Sequence, residues 1–335
     1  MKLPRFKYVE PRSIRKACEF LQAPQDEVQI IAGGTDLIMA LKNRQKIPKL
    51  LVDISGIPGL KEIKYSDKDG LRVGVLATLR HLTAHPVVRE KYPVLVQAAL
   101  SVGTPQIRAM STIGGNLCQD TCCMYFNRSA MVRQTLEPCH KLGGQVCHVV
   151  NASEECWATY AGDVAPALLV LRARVKIAGL RGEKVVPLHE LFSCDGKRPH
   201  TLRPGQLVTE IQVPAPSPSS GGAYLKLRQR ETLDYPLLGV AVNLTMEGED
   251  GICKDASLAL TAVDKAPVVV EEANRLKGKK LTHELMQDLT KAAIKRAHPI
   301  KDLCDLTATY RRNMVNVYVE SATQQALQSV AKQFR

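Results

Sequence analysis

Six cysteines, Cys118, Cys122, Cys123, Cys139, Cys147 and Cys156, crowd into residues 117–158. A thiolate is a soft, anionic donor that suits iron and zinc, and a 4Fe-4S cluster takes four of them. Zinc also accepts four thiolates, or thiolates mixed with imidazole, and His140 and His148 stand directly beside Cys139 and Cys147. No C-x-x-C knuckle of the usual zinc type is present, and the spacing alone leaves both metals open. Residues 1–10 carry no apolar segment followed by a small-residue cleavage site, so the expectation is a cytoplasmic chain whose cysteines serve metal or redox chemistry rather than disulfides. Cys18, Cys194, Cys253 and Cys304 are isolated and read as buried small residues.

A second kind of chemistry is written in glycine. Residues 30–37 read Ile-Ile-Ala-Gly-Gly-Thr-Asp-Leu, and residues 111–116 read Ser-Thr-Ile-Gly-Gly-Asn. Exposed main-chain N–H groups in a glycine turn at a helix start bind anions, because the donors have no partner within the helix. An ordinary tight strand-to-helix turn has the same local signature. Neither G-x-G-x-x-G nor G-x-x-x-x-G-K-[ST] occurs, so Rossmann and Walker readings lose support. Two such loops on either side of a strand-and-helix unit could cradle a pyrophosphate.

The elements that must hold these loops follow from periodicity. Residues 28–32 form an apolar run ending in the first glycine pair, and Leu37, Ile38 and Leu41 then recur at helical spacing. Strands are expected at 50–54 and 71–75, Thr78 as a helix cap before 79–84, and a helix opened by Pro93. Residues 117–158 break periodicity and read as an insertion held by a ligand. A helix carrying Val164, Ala167, Leu168 and Leu171 and a strand at 174–177 restore order. Residues 214–222, rich in Pro, Ser and Gly, read as a linker. Beyond it, strands are expected at 223–228, 237–244 and 258–263, with helices at 267–276, 282–297 and 310–330. The fold class is therefore α+β, with a first domain over 1–215 and a smaller α+β domain over 222–335.

Composition narrows the partners. The formal charge of +13 raises nucleic acid, yet the cations are scattered and only five Phe and one Trp are available for base stacking. A basic surface equally suits an acidic redox protein or subunit. No apolar run approaches the roughly 20 residues of a membrane-spanning helix. Neither nucleic acid nor membrane is expected as a partner.

Ala-Gly-Gly-Thr-Asp at 32–36, Thr-Ile-Gly-Gly-Asn at 112–116 and Gly-Asp-Val-Ala-Pro at 162–166 together resemble the flavin subunits of xanthine dehydrogenase and carbon monoxide dehydrogenase, over nearly the whole chain. These share the FAD-binding fold of vanillyl-alcohol oxidase and p-cresol methylhydroxylase. The resemblance implies a two-part FAD-binding domain followed by a C-terminal domain of the carbon monoxide dehydrogenase flavoprotein type. It implies that Ile31, Ala32, Gly33, Gly34, Thr35, Asp36 and Leu37, with Thr112, Gly114, Gly115 and Asn116, bind the FAD pyrophosphate through main-chain N–H groups and hydroxyls. Asp163 would accept a hydrogen bond from a cofactor hydroxyl, and Lys226 would lie near the isoalloxazine.

Gly-Gly-Asn-Leu-Cys-Gln-Asp-Thr at 114–121, Cys-His-Val at 147–149 and Ala-Thr-Tyr at 158–160 resemble the insertion of 4-hydroxybenzoyl-CoA reductase β subunits. That resemblance implies a 4Fe-4S cluster on Cys123, Cys139, Cys147 and Cys156, with Cys118 belonging to the flavin loop. Cys122 is an extra thiol adjacent to a ligand and able to exchange with it. The chain would then be an electron-transfer subunit. A small subunit with 2Fe-2S clusters and a large molybdopterin subunit would complete the enzyme, and ferredoxin or another redox protein would supply electrons for reductive dehydroxylation of an aromatic acyl-CoA. The alternatives are the flavin subunit of an oxidative molybdenum hydroxylase acting on an aldehyde, purine or other heterocycle, and a zinc-stabilised scaffold without catalysis.

Overall fold

The computed structural model describes residues 2–24, 26–231, 233–247, 251–301 and 306–332. Three sheets organise these residues. The first is parallel: Leu50–Asp53 lies between Lys7–Val9 and Val28–Ile31, so the strand leading into the first glycine pair runs along an edge. The second is antiparallel, in the order Ile63–Ser66, Gly70–Gly74, Leu207–Val213, Arg174–Gly179, Gly182–Pro187. The third joins Val268–Val269, Ile252–Thr261, Leu238–Glu247 and Ser220–Leu227 in antiparallel order.

Each part buries its own core. Leu71, Val73, Leu79, Leu95, Leu168 and Ile211 belong to one cluster, while Leu238, Val240, Leu260, Leu289, Val315 and Val319 belong to another. Helices His283–Arg296 and Ala308–Ala331 supply apolar side chains at helical spacing to the second cluster, and threonines cap both starts: Thr282 accepts from Leu285 N–H and Thr307 from Tyr310 N–H. Thr78 caps Leu79–Ala84 as its sequence position predicts, accepting from His81 N–H at 3.1 Å. Among the described residues no helix is long and apolar enough to cross a membrane.

Two expectations fail for identifiable reasons. Residues 220–222 are not linker but open the strand Ser220–Leu227, paired with Thr245 down to Leu238. The glycine content there is a packing device, since a Cβ on Gly221 would stand 2.6 Å from Val330 N and 2.8 Å from Ala326 O of the last helix. The helix expected at 267–276 is a strand, Val268–Val269, followed by a 3-10 turn, Glu271–Leu276. Consecutive β-branched residues prefer extended backbone, and here they find the Ala259–Leu260 edge to pair with.

Residues 117–158 contain little regular structure beyond the short helix Ala130–Arg133 and the turn His140–Leu142. The stretch is nonetheless anchored. Arg133, 6% exposed, donates to the carbonyls of Asn43 and Arg44 at 2.9 Å and of Phe126 at 3.1 Å. At the far end Lys265 donates to Glu155 at 2.8 Å and lies 4.8 Å from the Trp157 ring, tying the segment to the C-terminal part.

Candidate functional site

The first glycine loop leaves its strand at Ile31, whose carbonyl accepts from Ile54 N–H at 3.1 Å. At Gly33 a Cβ would stand 1.9 Å from the Met110 carbonyl oxygen, so only glycine lets this turn pack against the segment before the second loop. Gly34 takes the left-handed conformation, φ +72°, which L side chains rarely adopt. Helix Leu37–Lys42 follows, and Asp36 at its start spends no side-chain oxygen on capping. Asp36 instead accepts from the Tyr235 hydroxyl at 2.8 Å; burial pushes its carboxyl up and that bond opposes the push. Among the described residues the main-chain N–H groups of Gly33, Gly34, Thr35, Asp36 and Leu37 donate no hydrogen bond. This is a run of unspent donors at a turn, able to receive an anion.

The second loop faces it and is wired differently. Ser111 Oγ donates to Thr35 Oγ1 at 3.1 Å, joining the two. Ile113 and Gly114 N–H donate to the carbonyls of Ala77 and Val75 at 2.9 Å, Gly115 N–H to Thr112 Oγ1 at 3.0 Å, and Asn116 N–H to Thr112 O at 3.0 Å. The main-chain donors of Ile113–Asn116 are therefore engaged internally, and what the loop presents is a firm wall with the Thr112 N–H and hydroxyl proton. Asn116 Oδ1 accepts from Val164 N–H at 3.0 Å and fixes this wall to helix Val164–Val170. A Cβ on Gly115 would meet only Thr112 Oγ1, at 3.0 Å, so packing within the protein does not by itself explain its missing side chain.

Asp163 and Lys226, separately singled out by sequence, meet each other. Lys226 Nζ donates to Asp163 Oδ2 at 3.1 Å and to Ser101 O at 3.1 Å, and the Tyr224 hydroxyl donates to Asp163 Oδ1 at 2.7 Å. The two charged side chains are 5% and 3% exposed. Burial pushes the Asp163 carboxyl up and the Lys226 ammonium down, while their mutual attraction opposes both. Tyr224, and Tyr235 over Asp36, carry no signal in the sequence that marks them.

Cys123, Cys139, Cys147 and Cys156 line one cavity. Phe126 N–H donates to Cys123 Sγ at 3.2 Å and Val150 N–H to Cys147 Sγ at 3.4 Å, contacts that favour thiolate over thiol. Burial pushes the Cys123 and Cys156 thiols up to about 11, so anionic sulfur there calls for a bound cation. Cys122 pairs by its main chain with Thr159 and does not line the cavity, as expected for consecutive residues of an extended segment. The imidazoles are engaged elsewhere: His140 Nε2 donates to Ser153 O at 3.0 Å and His148 Nε2 to Glu137 O at 2.8 Å. Among the described residues no three His, Cys, Asp or Glu converge closely enough to hold a single metal ion. Of the isolated cysteines, Cys18 and Cys253 are buried. Cys194 is exposed, at φ +59° in a loop, against expectation; Cys304 lies outside the described residues.

The family described as "FAD binding domain in molybdopterin dehydrogenase" matches residues 4–216, and "CO dehydrogenase flavoprotein C-terminal domain" matches 223–326. The chain belongs to the FAD-binding subunits of the molybdenum hydroxylase family. Among its relatives, the aldehyde oxidoreductase FAD-binding subunit PaoB of Escherichia coli is 34% identical over 263 residues, 73% of this chain and 78% of that one. The carbon monoxide dehydrogenase medium chain of Afipia carboxidovorans is 29% identical over 323 residues, 96% of each. The solved carbon monoxide dehydrogenase of Hydrogenophaga pseudoflava superposes with a TM-score of 0.81 at 27% identity, covering 98% of this flavin subunit and 99% of that chain. The α+β architecture expected from periodicity is thus the family's own.

Proposed function

We propose that this flavin subunit holds the FAD pyrophosphate on the unspent donors of Gly33–Leu37 against the wall of Thr112–Asn116, and a 4Fe-4S cluster on Cys123, Cys139, Cys147 and Cys156. The observation that carries the first half is the run of free N–H groups at a turn already joined to the second loop through Ser111 and Thr35. Ile31 and Ala32 lead the chain into that turn, and Asp163 and Lys226 form a buried pair beside Val164, which Asn116 of the second loop holds. The second half rests on the thiol cavity. Lys141, whose side chain is 6% exposed, adds a cation to the wall of that cavity. When bound, FAD exchanges electrons in pairs or singly and the cluster singly, so one subunit would connect two-electron and one-electron carriers. Substrate chemistry would belong to a molybdopterin-containing partner, with a 2Fe-2S subunit between.

The names of the relatives favour oxidation of an aldehyde or heterocycle by the partner, with electrons leaving through this subunit. The reductive reading, with ferredoxin as donor and 4-hydroxybenzoyl-CoA as substrate, retains only the cysteine insertion in its favour. One preparation separates them. The chain isolated anaerobically with its partners should contain FAD, iron and acid-labile sulfide, and should bleach its flavin on adding an aldehyde or heterocycle. Formation of benzoyl-CoA from 4-hydroxybenzoyl-CoA and a low-potential donor would reverse the direction proposed; zinc in place of iron would remove the cluster.

Two smaller tests address the sites separately. Gly33→Ala puts a methyl group against a main-chain carbonyl and should destabilise the fold by about 1–3 kcal/mol and empty the flavin site. Gly115→Ala lies within the short helix Ile113–Leu117, where alanine is favoured by up to about 1 kcal/mol. It should therefore leave the apoprotein's melting temperature intact while weakening FAD binding; unchanged binding would mean that the cofactor does not approach that face. Trp157, the only tryptophan, lines the thiol cavity. Its emission should rise several-fold when iron is removed with FAD retained, and a steady emission would put the iron elsewhere.

A further inference from the structure

We infer that Lys141 sets the reduction potential of the group held by the four thiols, acting as a fixed positive charge built into the wall of their cavity. The inference rests on the cluster reading above. Lys141 lines the cavity, and its side chain is only 6% exposed. Its ammonium donates to Asp120 Oδ1 at 2.8 Å, Thr121 O at 2.8 Å and Gly196 O at 3.3 Å, with Thr121 Oγ1 also in contact, and it lies 4.9 Å from the Phe126 ring centroid. Of these partners only Asp120 is charged, and Asp120 is shared with Lys46 at 3.1 Å. The trio therefore carries one net positive charge. Lys46 and Asp120 are each 30% exposed, so water screens them more than it screens Lys141.

The placement is unusual for a lysine. A side chain that would ordinarily extend into water is folded inward and held by oxygens from the segment following the second glycine loop, Asp120 and Thr121, and from Gly196. It thereby joins the turn after Cys139 to the segment before Cys123. One electron from a donor lowers the total charge of cluster and thiolates by one, with no proton needed. A nearby cation stabilises that more negative form more than the oxidised one, and more strongly where water is excluded. Lys141 should hold the potential up, and Asp120, by partly neutralising it, should hold it down.

The two residues give opposite signs, which a purely structural role would not. In the full chain as isolated, with iron content measured on each sample, dithionite titration followed by electron paramagnetic resonance reads the midpoint. Lys141→Met should move it negative, Lys141→Arg should leave it near wild type, and Asp120→Asn should move it positive. Should Lys141→Met lose its iron, Lys46→Met carries the same sign with a smaller shift, and Asp120→Asn the opposite one. Equal shifts in Lys141→Arg and Lys141→Met, shifts of one sign for Lys141→Met and Asp120→Asn, or an unmoved midpoint with iron present would each overturn the inference alone. Absence of iron from the wild-type chain would overturn the cluster reading beneath it.

Discussion

Cys139→Ser is expected to yield a chain that retains FAD in equimolar amount while iron and acid-labile sulfide fall to background. Serine oxygen is a harder and far less acidic donor than cysteine sulfur, and three remaining thiols leave a four-ligand cluster incomplete. The flavin should survive because the groups proposed to hold it stand on other elements: the turn after Val28–Ile31 and the loop at Thr112, joined through Ser111 and Thr35 at 3.1 Å. Cys122→Ser is the matched control. Its main chain is paired to Thr159 and its side chain does not line the cavity, so iron should stay. Iron and flavin contents, measured on the same samples, decide the matter. Loss of flavin together with iron in Cys139→Ser would mean that the two sites are not separable. Loss of iron in Cys122→Ser would mean that Cys122 and Cys123 trade places as ligand.

How far these sites could be read beforehand depended on the range of the interactions involved. The first glycine turn was legible because its cause is local: an apolar run, a glycine that must adopt positive φ, and a helix directly after it. Helices His283–Arg296 and Ala308–Ala331 were legible for the same reason, through capping threonines and apolar spacing. Residues 220–222 were misread because Ser and Gly signal a linker only when nothing packs on them, and here the backbone of the last helix does. The different wiring of the two loops was also hidden. Both display paired glycines, but whether their N–H groups are free depends on the carbonyls of Val75 and Ala77, which sequence does not bring to Gly114 and Ile113. The cysteines are legible as candidate metal ligands but not as the lining of one cavity, since their convergence depends on how the irregular residues between them fold.

The pairing of Asp163 with Lys226 was the least legible feature, and its disruption should have the largest effect on stability. The partners are 63 residues apart, one at the start of a helix in the first core and the other on a strand of the third sheet, where a lysine ordinarily faces water. Removing one member of a buried pair leaves the other desolvated and uncompensated, at a cost of about 3–5 kcal/mol. Lys226→Met should therefore lower the unfolding free energy of the apoprotein by that amount. Asp163→Asn should cost less, because its amide oxygen can still accept from Tyr224, but it leaves the Lys226 ammonium buried with only the Ser101 carbonyl at 3.1 Å. With both substitutions no charge remains stranded, so the double variant should be more stable than the two single losses would sum to, by at least about 1 kcal/mol. Urea unfolding of the flavin-free chain isolates this from any contact with the cofactor. Strict additivity would mean that each residue is held by its other neighbours and that the ion pair couples nothing. A non-additive result would instead identify the pair as the tie that sets the third sheet against the helix beginning at Val164, to which Asn116 of the second loop is bonded.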